Sequence, residues 1–341
     1  MPEPKPKALA LFSGGLDSLL AVRLLQEQDV PVEAVHLRLP FGGSARREGL
    51  DRVKAMADQI GVPLHVLSPD EELAELVAHP KFGRGKNFNP CQDCRIYQLR
   101  KAADLLPAVG ASFLVTGEVV GQRPMSQRRD ALFVTDRESG MKGLILRPLS
   151  AKLLPATIPE QRGWVDRSRL LDLAGRGRGS QEALARRWGL SYQAPAGGCL
   201  LTFREPANRY RNLLDLLGRL PLSDIPLVGT GRHFRLSREA AAIAGRRQEE
   251  NRLLAHVFRH NPDGRYLMQA QGVPGPLTLV LGRPSPEDLE AAASLTARYA
   301  DLSSPGRITV RMLTAKGGEC RCDTLAAAPA TEAETARWRI T

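Results

Sequence analysis

The stretch that most constrains the fold is Lys7 to Leu25, KALALFSGGLDSLLAVRLL. An apolar run from Ala8 to Phe12 reads as a short buried strand, Ser13 to Ser18 as a tight loop, and the remainder as a helix with an apolar face. Gly14 and Gly15 permit backbone conformations that other residues resist, and they let amide N–H groups approach a ligand closely. Those amides fall where the helix begins, so unpaired donors and the positive end of the helix dipole converge. Ser13 and Ser18 add hydroxyl donors. The pattern is an anion cradle suited to phosphate or pyrophosphate. Asp17 would repel such a ligand unless a cation such as Mg²⁺ bridges the two. The plainer alternative is a strand-to-helix turn capped by Asp17 or Ser18.

The chain has 341 residues, 43% hydrophobic and 25% charged, which suits two domains with real cores. No apolar run approaches the length of a membrane span, and the start MPEPKPK lacks an apolar signal region. A cytoplasmic protein with no membrane partner is expected. The net charge of +11 favours polyanionic partners, nucleic acid first, unless it reflects only a general richness in arginine.

Strand-like runs at Val32–Leu39, Pro63–Pro69, Ser112–Glu118 and Leu144–Leu149 alternate with helical spacing at Arg46–Ile60 and Tyr97–Leu106. This alternation predicts an α/β fold, a doubly wound parallel sheet with ligands at the carboxyl ends of its strands. SGGLDS, LRLPFGG and TGEVVGQ all fall at such ends. KFGRGKNFNP reads as a mobile loop, either simply solvated or acting as a gate or RNA contact. From about 150 to 190 the chain is basic, with Arg162, Arg167, Arg169, Arg176, Arg178, Arg186 and Arg187, and a helix capped by Ser180 is expected there. After about residue 210 strand-like pieces flank helices expected at Arg238–His256 and Pro286–Ala300. The expected organisation is residues 1–208 as the nucleotide domain and 209–341 as a smaller α+β domain.

Five cysteines in a chain of this kind do not suggest a disulfide framework. Cys91 and Cys94 form a CxxC pair that opens a helix, where the dipole favours thiolates. Cys199, in APAGGCLL, is a third sulfur if the fold brings it to the same rim. Three cysteines do not suit a closed zinc site, but would suit an iron–sulfur cluster with one iron left open. The competing chemistry is a catalytic pair, Cys94 and Cys199 alternating between persulfide and disulfide. A redox-inert helix start or a zinc half-site is the third option. Cys320 and Cys322, in GGECRCD, read as an exposed hairpin end.

The complete string SGGLDS is the signature of the PP-loop ATP pyrophosphatases, which this chain resembles; the Walker pattern is absent. NFNPCQDCRIYQLRKAADLLPAVGASFLVTGEVVGQ is similar to the 2-thiouridine synthases of the MnmA type, and TGEVVGQRPMSQ resembles the GQ..SQ segment of the 4-thiouridine synthases of the ThiI type. CxxC plus a distant cysteine resembles the iron–sulfur-dependent tRNA thiolases. In the C-terminal part, GRHFRLSREAAAIAGRRQEENRLLAHVF resembles the RNA-binding domain of NFACT-type proteins, with Arg246, Arg247 and Arg252 nearby.

These resemblances imply ATP held on Ser13, Gly14, Gly15, Asp17 and Ser18, with His36 and Gly117 near the adenosine and Mg²⁺ on the phosphates. A tRNA uridine would be adenylated at its carbonyl oxygen, 4-thiouridine being favoured and 2-thiouridine next, and sulfur would then displace AMP. Cys94, Cys199 and Asp17 are the catalytic candidates, and Cys91, Cys94 and Cys199 the ligands of a [4Fe-4S] cluster. Gln122, Arg123, Ser126, Gln127 and Arg128 would contact the RNA. The implied partners are tRNA and a sulfur donor, a cysteine desulfurase or sulfide; the oligomeric state is open, a homodimer included. Two other readings are a PP-loop amidotransferase or ligase on a small substrate, and a non-catalytic RNA-binding protein with a vestigial nucleotide site.

Overall fold

A computed structural model describes residues 6–42, 47–192, 198–303, 306–316 and 319–341. The chain divides into two units, Met1–Cys199 and Leu200–Thr341. The expected boundary at 208/209 falls inside a helix, Arg204–Leu217, that belongs to the second unit.

In the first unit five strands form one parallel sheet: β1 (Lys7–Leu11), β2 (Val32–Leu37), β3 (Leu64–Leu67), β4 (Ala111–Thr116) and β5 (Ile145–Leu146). Their order is β3-β2-β1-β4-β5. The crossovers carry helices α1 (Leu16–Gln26), α2 (Arg47–Gln59), α3 (Glu71–Ala78), α4 (Cys91–Val109) and α5 (Arg129–Glu138), with α6 (Ile158–Gln161) and α7 (Gly179–Arg187) after β5. β1 is buried through Ala8, Leu9, Ala10 and Leu11, so it reads as a continuous apolar run, as a strand covered on both faces must. Ala8, Phe12, Leu19, Val22, Ala34, Val53, Phe113 and Val115 share one core between the sheet and its helices. The expected doubly wound parallel sheet is therefore present.

The chain runs outward from β1 to β2 and β3, then returns to place β4 on the other side of β1. The β1/β4 junction is thus the topological switch point, where a crevice opens at the carboxyl ends of the strands. The loop Phe12–Gly15 leaves β1 there, and Gly117–Gln122 leaves β4 beside it.

Local differences have physical reasons. The helix expected at 97–106 spans Cys91–Val109, because Gly110 in a left-handed conformation (φ 63°) closes it and Pro90 precedes it. Ser180 is not a cap: it lies inside α7, whose N-cap is Arg178. Arg46, the expected start of the helix before β3, lies outside the described residues. The segment 80–90 is held by the protein: Asp93 accepts from the amides of Lys81 (2.8 Å) and Phe82 (3.1 Å), and Phe88 and Asn89 are buried.

The second unit is an antiparallel sheet with helices, as an α+β domain requires. Its strands are β6 (Arg232–Arg235), β7 (Ala240–Ala244), β8 (Tyr266–Ala270), β9 (Leu277–Gly282), β10 (Ile308–Lys316) and β11 (Glu319–Ala327), in the order β11-β10-β8-β9-β7-β6. Helices α8 (Arg204–Leu217), α9 (Gln248–His260), α10 (Pro286–Arg298) and α11 (Glu332–Trp338) accompany it. The helix expected at 238–256 is corrected: Ala240–Ala244 is a strand, and the helix begins at Gln248. Five consecutive buried residues, four alanines and Ile243, fit between β6 and β9, so burial on both faces overrides alanine's helix preference. α10 packs its Ala292, Ala293 and Leu295 with Phe234, Met268, Val280 and Val310 of the sheet. Cys320 and Cys322 are exposed on β11, opposite Ala315 and Leu313, near the hairpin end expected for them.

Candidate active site

The loop after β1 holds its shape through its own groups. Gly14 has φ 72°, and a side chain there would meet Val53 Cα at 3.2 Å. The Ser18 hydroxyl donates to the Gly15 carbonyl (2.8 Å), the Gly15 amide donates to Ser13 Oγ (3.3 Å), and the two serine hydroxyls are 3.3 Å apart. α1 begins at Leu16 without a side-chain cap, so its first amides are left to the crevice. Neither Asp17 nor Ser18 caps the turn in the way that the plainer alternative expected.

Gly117, just past β4, is required by the loop. A Cβ there would lie 2.5 Å from the Asp17 carbonyl carbon and 2.6 Å from the Ser18 nitrogen. The close approach is to the backbone that starts α1, and it locks the two loops of the switch point together. His36 is buried at the end of β2, with Nδ1 2.8 Å from the Phe12 carbonyl. That acceptor fixes the proton on Nδ1; burial lowers the pKa, against the pull of the carbonyl, and the ring is neutral.

Asp17 is half-buried. Its Oδ2 accepts from Gln122 Nε2 (2.9 Å), while Oδ1 is buried without a hydrogen-bond partner, as is Gln122 Oε1. Two orphaned oxygen acceptors in one hydrogen-bonded pair form a donor set that suits a hard divalent cation.

Beyond β4 the structure adds a charge network that motif reading missed. Glu118, 2% exposed, accepts from Arg95 Nε (2.7 Å) and Arg147 Nε (2.9 Å), and Arg147 reaches Asp136 through both terminal nitrogens. Burial works to raise the Glu118 pKa, but the two guanidiniums outweigh it and hold the carboxyl at about 2. For Asp136 burial dominates, and its pKa is raised despite Arg147. The signals were present: Glu118 stands one residue past the apolar run FLVT, and Arg147 directly after LIL.

Arg95 follows Cys94, so the network anchors the cysteine helix beside the switch point. Gln92 and Asp93, between the cysteines, are structural: Gln92 Nε2 donates to Thr135 Oγ1 (2.6 Å) and to the Ala131 carbonyl (2.9 Å). Asn89 Nδ2 donates to Cys91 Sγ at 3.1 Å, and Gln98 Nε2 lies 3.3 Å from Cys94 Sγ. The dipole argument fails for Cys94, since desolvation outweighs it and pushes the thiol up to about 11. Cys199 is half-buried at the end of the first unit. Among the described residues no three His, Cys, Asp or Glu side chains are grouped to hold a metal ion.

The expected RNA contacts separate. Arg123 and Arg128 are exposed, Arg128 beside Asp130. Ser126 and Gln127 are each 8% exposed, folded into the turn where the Gly121 amide donates to the Gln127 carbonyl, and Gln122 serves Asp17. Of the arginines between 150 and 190, Arg167 binds Glu160 and Arg169 the Glu27 carbonyl.

A five-stranded parallel sheet with a glycine-rich loop at its switch point is the arrangement of a doubly wound α/β domain. In agreement, the family model of the tRNA methyl transferase HUP domain matches residues 6–140, and that of the NFACT protein RNA binding domain matches 231–339. The two matches fall in separate parts of the chain. The tRNA-specific 2-thiouridylase MnmA of Nitratidesulfovibrio vulgaris is 37% identical over 110 residues, 31% of either chain. That of Methylorubrum extorquens is 27% identical over 245 residues, 63% of this chain and 60% of the relative. The chain thus spans from about a third to under two thirds of the length of these relatives. Among solved structures, the U34-tRNA thiolase NcsA from Methanococcus maripaludis, solved with its [4Fe-4S] cluster, is 18% identical. The match covers 66% of this chain and 71% of that one at a TM-score of 0.34, too low to bear on a cluster here. Among the described residues no helix is long and apolar enough to cross a membrane.

Proposed function

We propose that the protein thiolates tRNA at the expense of ATP, adenylating a uridine carbonyl oxygen and replacing it with sulfur. The observation that carries this reading is the closure of Gly117 onto Asp17 and Ser18. It puts the phosphate loop, Glu118 and, through Arg95, the cysteine helix on one rim of one sheet. The named activity of the MnmA relatives supports the substrate class, and the C-terminal RNA-binding domain supports RNA as partner.

In this reading Ser13, Gly14, Gly15 and Ser18 hold the ATP phosphates, with α1's first amides as donors. Mg²⁺ fits the oxygens of Asp17 and Gln122; when bound it neutralises the departing pyrophosphate. The uridine oxygen attacks the α-phosphate, pyrophosphate leaves, and the carbonyl carbon then carries AMP as a good leaving group. Gly117 keeps α1 and β4 in contact, and His36 holds the β1 and β2 ends in register, by which the adenosine passes. Arg123 and Arg128 are the surface contacts to the RNA.

The sulfur half is assigned to Cys91, Cys94 and Cys199. A persulfide loaded by a desulfurase attacks the activated carbon, forming C–S and releasing AMP. A second cysteine thiolate then breaks the S–S bond, and the resulting disulfide needs a cellular reductant. Free sulfide, the other donor, would attack that carbon directly and release AMP without a persulfide. The alternative for the sulfur half is a [4Fe-4S] cluster that Cys91, Cys94 and Cys199 would hold. The GQ..SQ segment favours 4-thiouridine, whereas the names of the relatives favour 2-thiouridine. A cytoplasmic location belongs to this reading, since its substrates are ATP and tRNA.

The test is to incubate the full chain with ATP, Mg²⁺, a sulfide donor and unmodified tRNA. AMP should form only with tRNA present, and nucleoside mass analysis should show 4- or 2-thiouridine. ATP turnover unaffected by tRNA, with no thionucleoside, refutes the proposal. Preparation under anaerobic conditions, followed by absorbance, tests the cluster separately.

A further inference from the structure

The second unit gathers arginines from three separate parts of the chain. Arg232 on β6 stacks over Tyr299, its guanidinium 4.4 Å from the ring centre, and its NH1 lies 3.5 Å from the Gly245 carbonyl. Arg339 bridges to Phe234 in the backbone and stacks over that ring at 5.4 Å. The two rings are 6.2 Å apart and tilted by 34°, so the two arginine–ring pairs are neighbours. Arg246 leaves the end of β7 next to Gly245. Arg209 of α8 is 3% exposed, is bound to Glu205, and keeps a buried Nε without a partner.

These four guanidiniums face two carboxylates, Glu205 with Arg209 and Glu250 with Arg246. Among the described residues neither Arg232 nor Arg339 has a carboxylate within ion-pair distance. Burial first, then the charges of Arg246 and Arg339, weaken the hold of Arg209 and Arg232 on their protons, so the groups feel one another. An uncompensated cluster of like charges is unfavourable in an empty protein and favourable once an anion enters it. Guanidiniums are planar donors matched to phosphate, and stacking on a ring fixes the plane in advance.

We propose that Arg232 and Arg339, with Arg246 beside them and Arg209 buried at their side, form a site for a backbone phosphate of RNA. The inference rests on reading this unit as RNA-binding, and it extends that reading to Arg209, outside the matched segment 231–339. Phe234 is fully buried and Tyr299 is covered by Arg232, so no ring is offered to a base. The site therefore reads the backbone and is indifferent to sequence.

The experiment uses the full chain and the double variant Arg232→Gln/Arg339→Gln. Binding of tRNA without ATP should weaken about tenfold near 0.1 M salt, and the slope of log K against log salt should fall by about one. The ligand-free variant should melt no lower than the parent, since repulsion is relieved. Inorganic phosphate should raise the melting temperature of the parent and not of the variant. Unchanged tRNA affinity and slope in a folded variant overturn the proposal, as does equal stabilisation of both proteins by phosphate. Loss of phosphate stabilisation with tRNA binding intact points to a free anion and also overturns it. If the double variant does not fold, Arg339→Gln alone should weaken tRNA binding about threefold with the same signature. Because ATP is absent, a failure here is distinguishable from a failure of tRNA thiolation, which the nucleoside analysis reads.

Discussion

Replacing Glu118 by Gln tests whether the cysteine helix is held to the switch point by charge. The carboxyl is fully buried between Arg95 and Arg147, and its pKa falls from 4.5 to about 2. At 1.36 kcal/mol per unit this is about 3 kcal/mol of stabilisation, within the roughly 3–5 kcal/mol expected when a buried pair loses one partner. The folded-state value is the lower one, so the stabilisation is complete above about 4.5 and disappears as pH falls toward 2. The assay is urea unfolding followed by tryptophan fluorescence in a Trp338→Phe background, where Trp164 and Trp188 report on the first unit. At pH 7 Glu118→Gln should be less stable by about 3 kcal/mol, and the gap should close between pH 4.5 and pH 2. A gap under about 1 kcal/mol at pH 7, or one that persists unchanged to pH 2, refutes the reasoning.

Gly117→Ala places a methyl group against backbone that cannot yield; it should lower stability by about 1–3 kcal/mol and weaken ATP binding, read by calorimetry. Cys94 should be alkylated slowly at pH 8, with a rate that keeps rising to about pH 11, followed by peptide mass spectrometry. Asn251→Ala removes the acceptor for the Leu277 amide (3.0 Å) and should destabilise the second unit by about 1–3 kcal/mol, read by hydrogen exchange in β9.

The parallel sheet was legible because β1, β2 and β4 are apolar runs buried on both faces and bounded by turns. Their ends needed only the switch-point rule to become a site. Ala240–Ala244 was not legible, since alanine writes helix locally and only the flanking strands make it β7. The NFACT-like GRR..EN motif was legible as a motif but not in its role. A side chain at Gly245 would collide with Asn251, whose Oδ1 accepts from the Leu277 amide, so Gly245 and Asn251 tie α9 to β9. Around the cysteines, spacing identified the pair but could not reveal that Asp93 caps the preceding loop, nor that burial governs Cys94. Ser126 and Gln127 read as contacts because polarity is visible in a sequence and burial is not.

The loop after β1 is built before any nucleotide arrives. Its serines bond to each other and to the loop backbone, Gly14 is wedged against Val53, and Gly117 closes the other side. Entry of a triphosphate therefore carries little ordering entropy, and association needs no slow rearrangement of the loop. In the proposed role, a rigid surface of amides and hydroxyls would grip every nucleoside triphosphate alike. Discrimination for adenine must come from the neighbouring strand ends, so loop variants should weaken ATP and GTP in parallel.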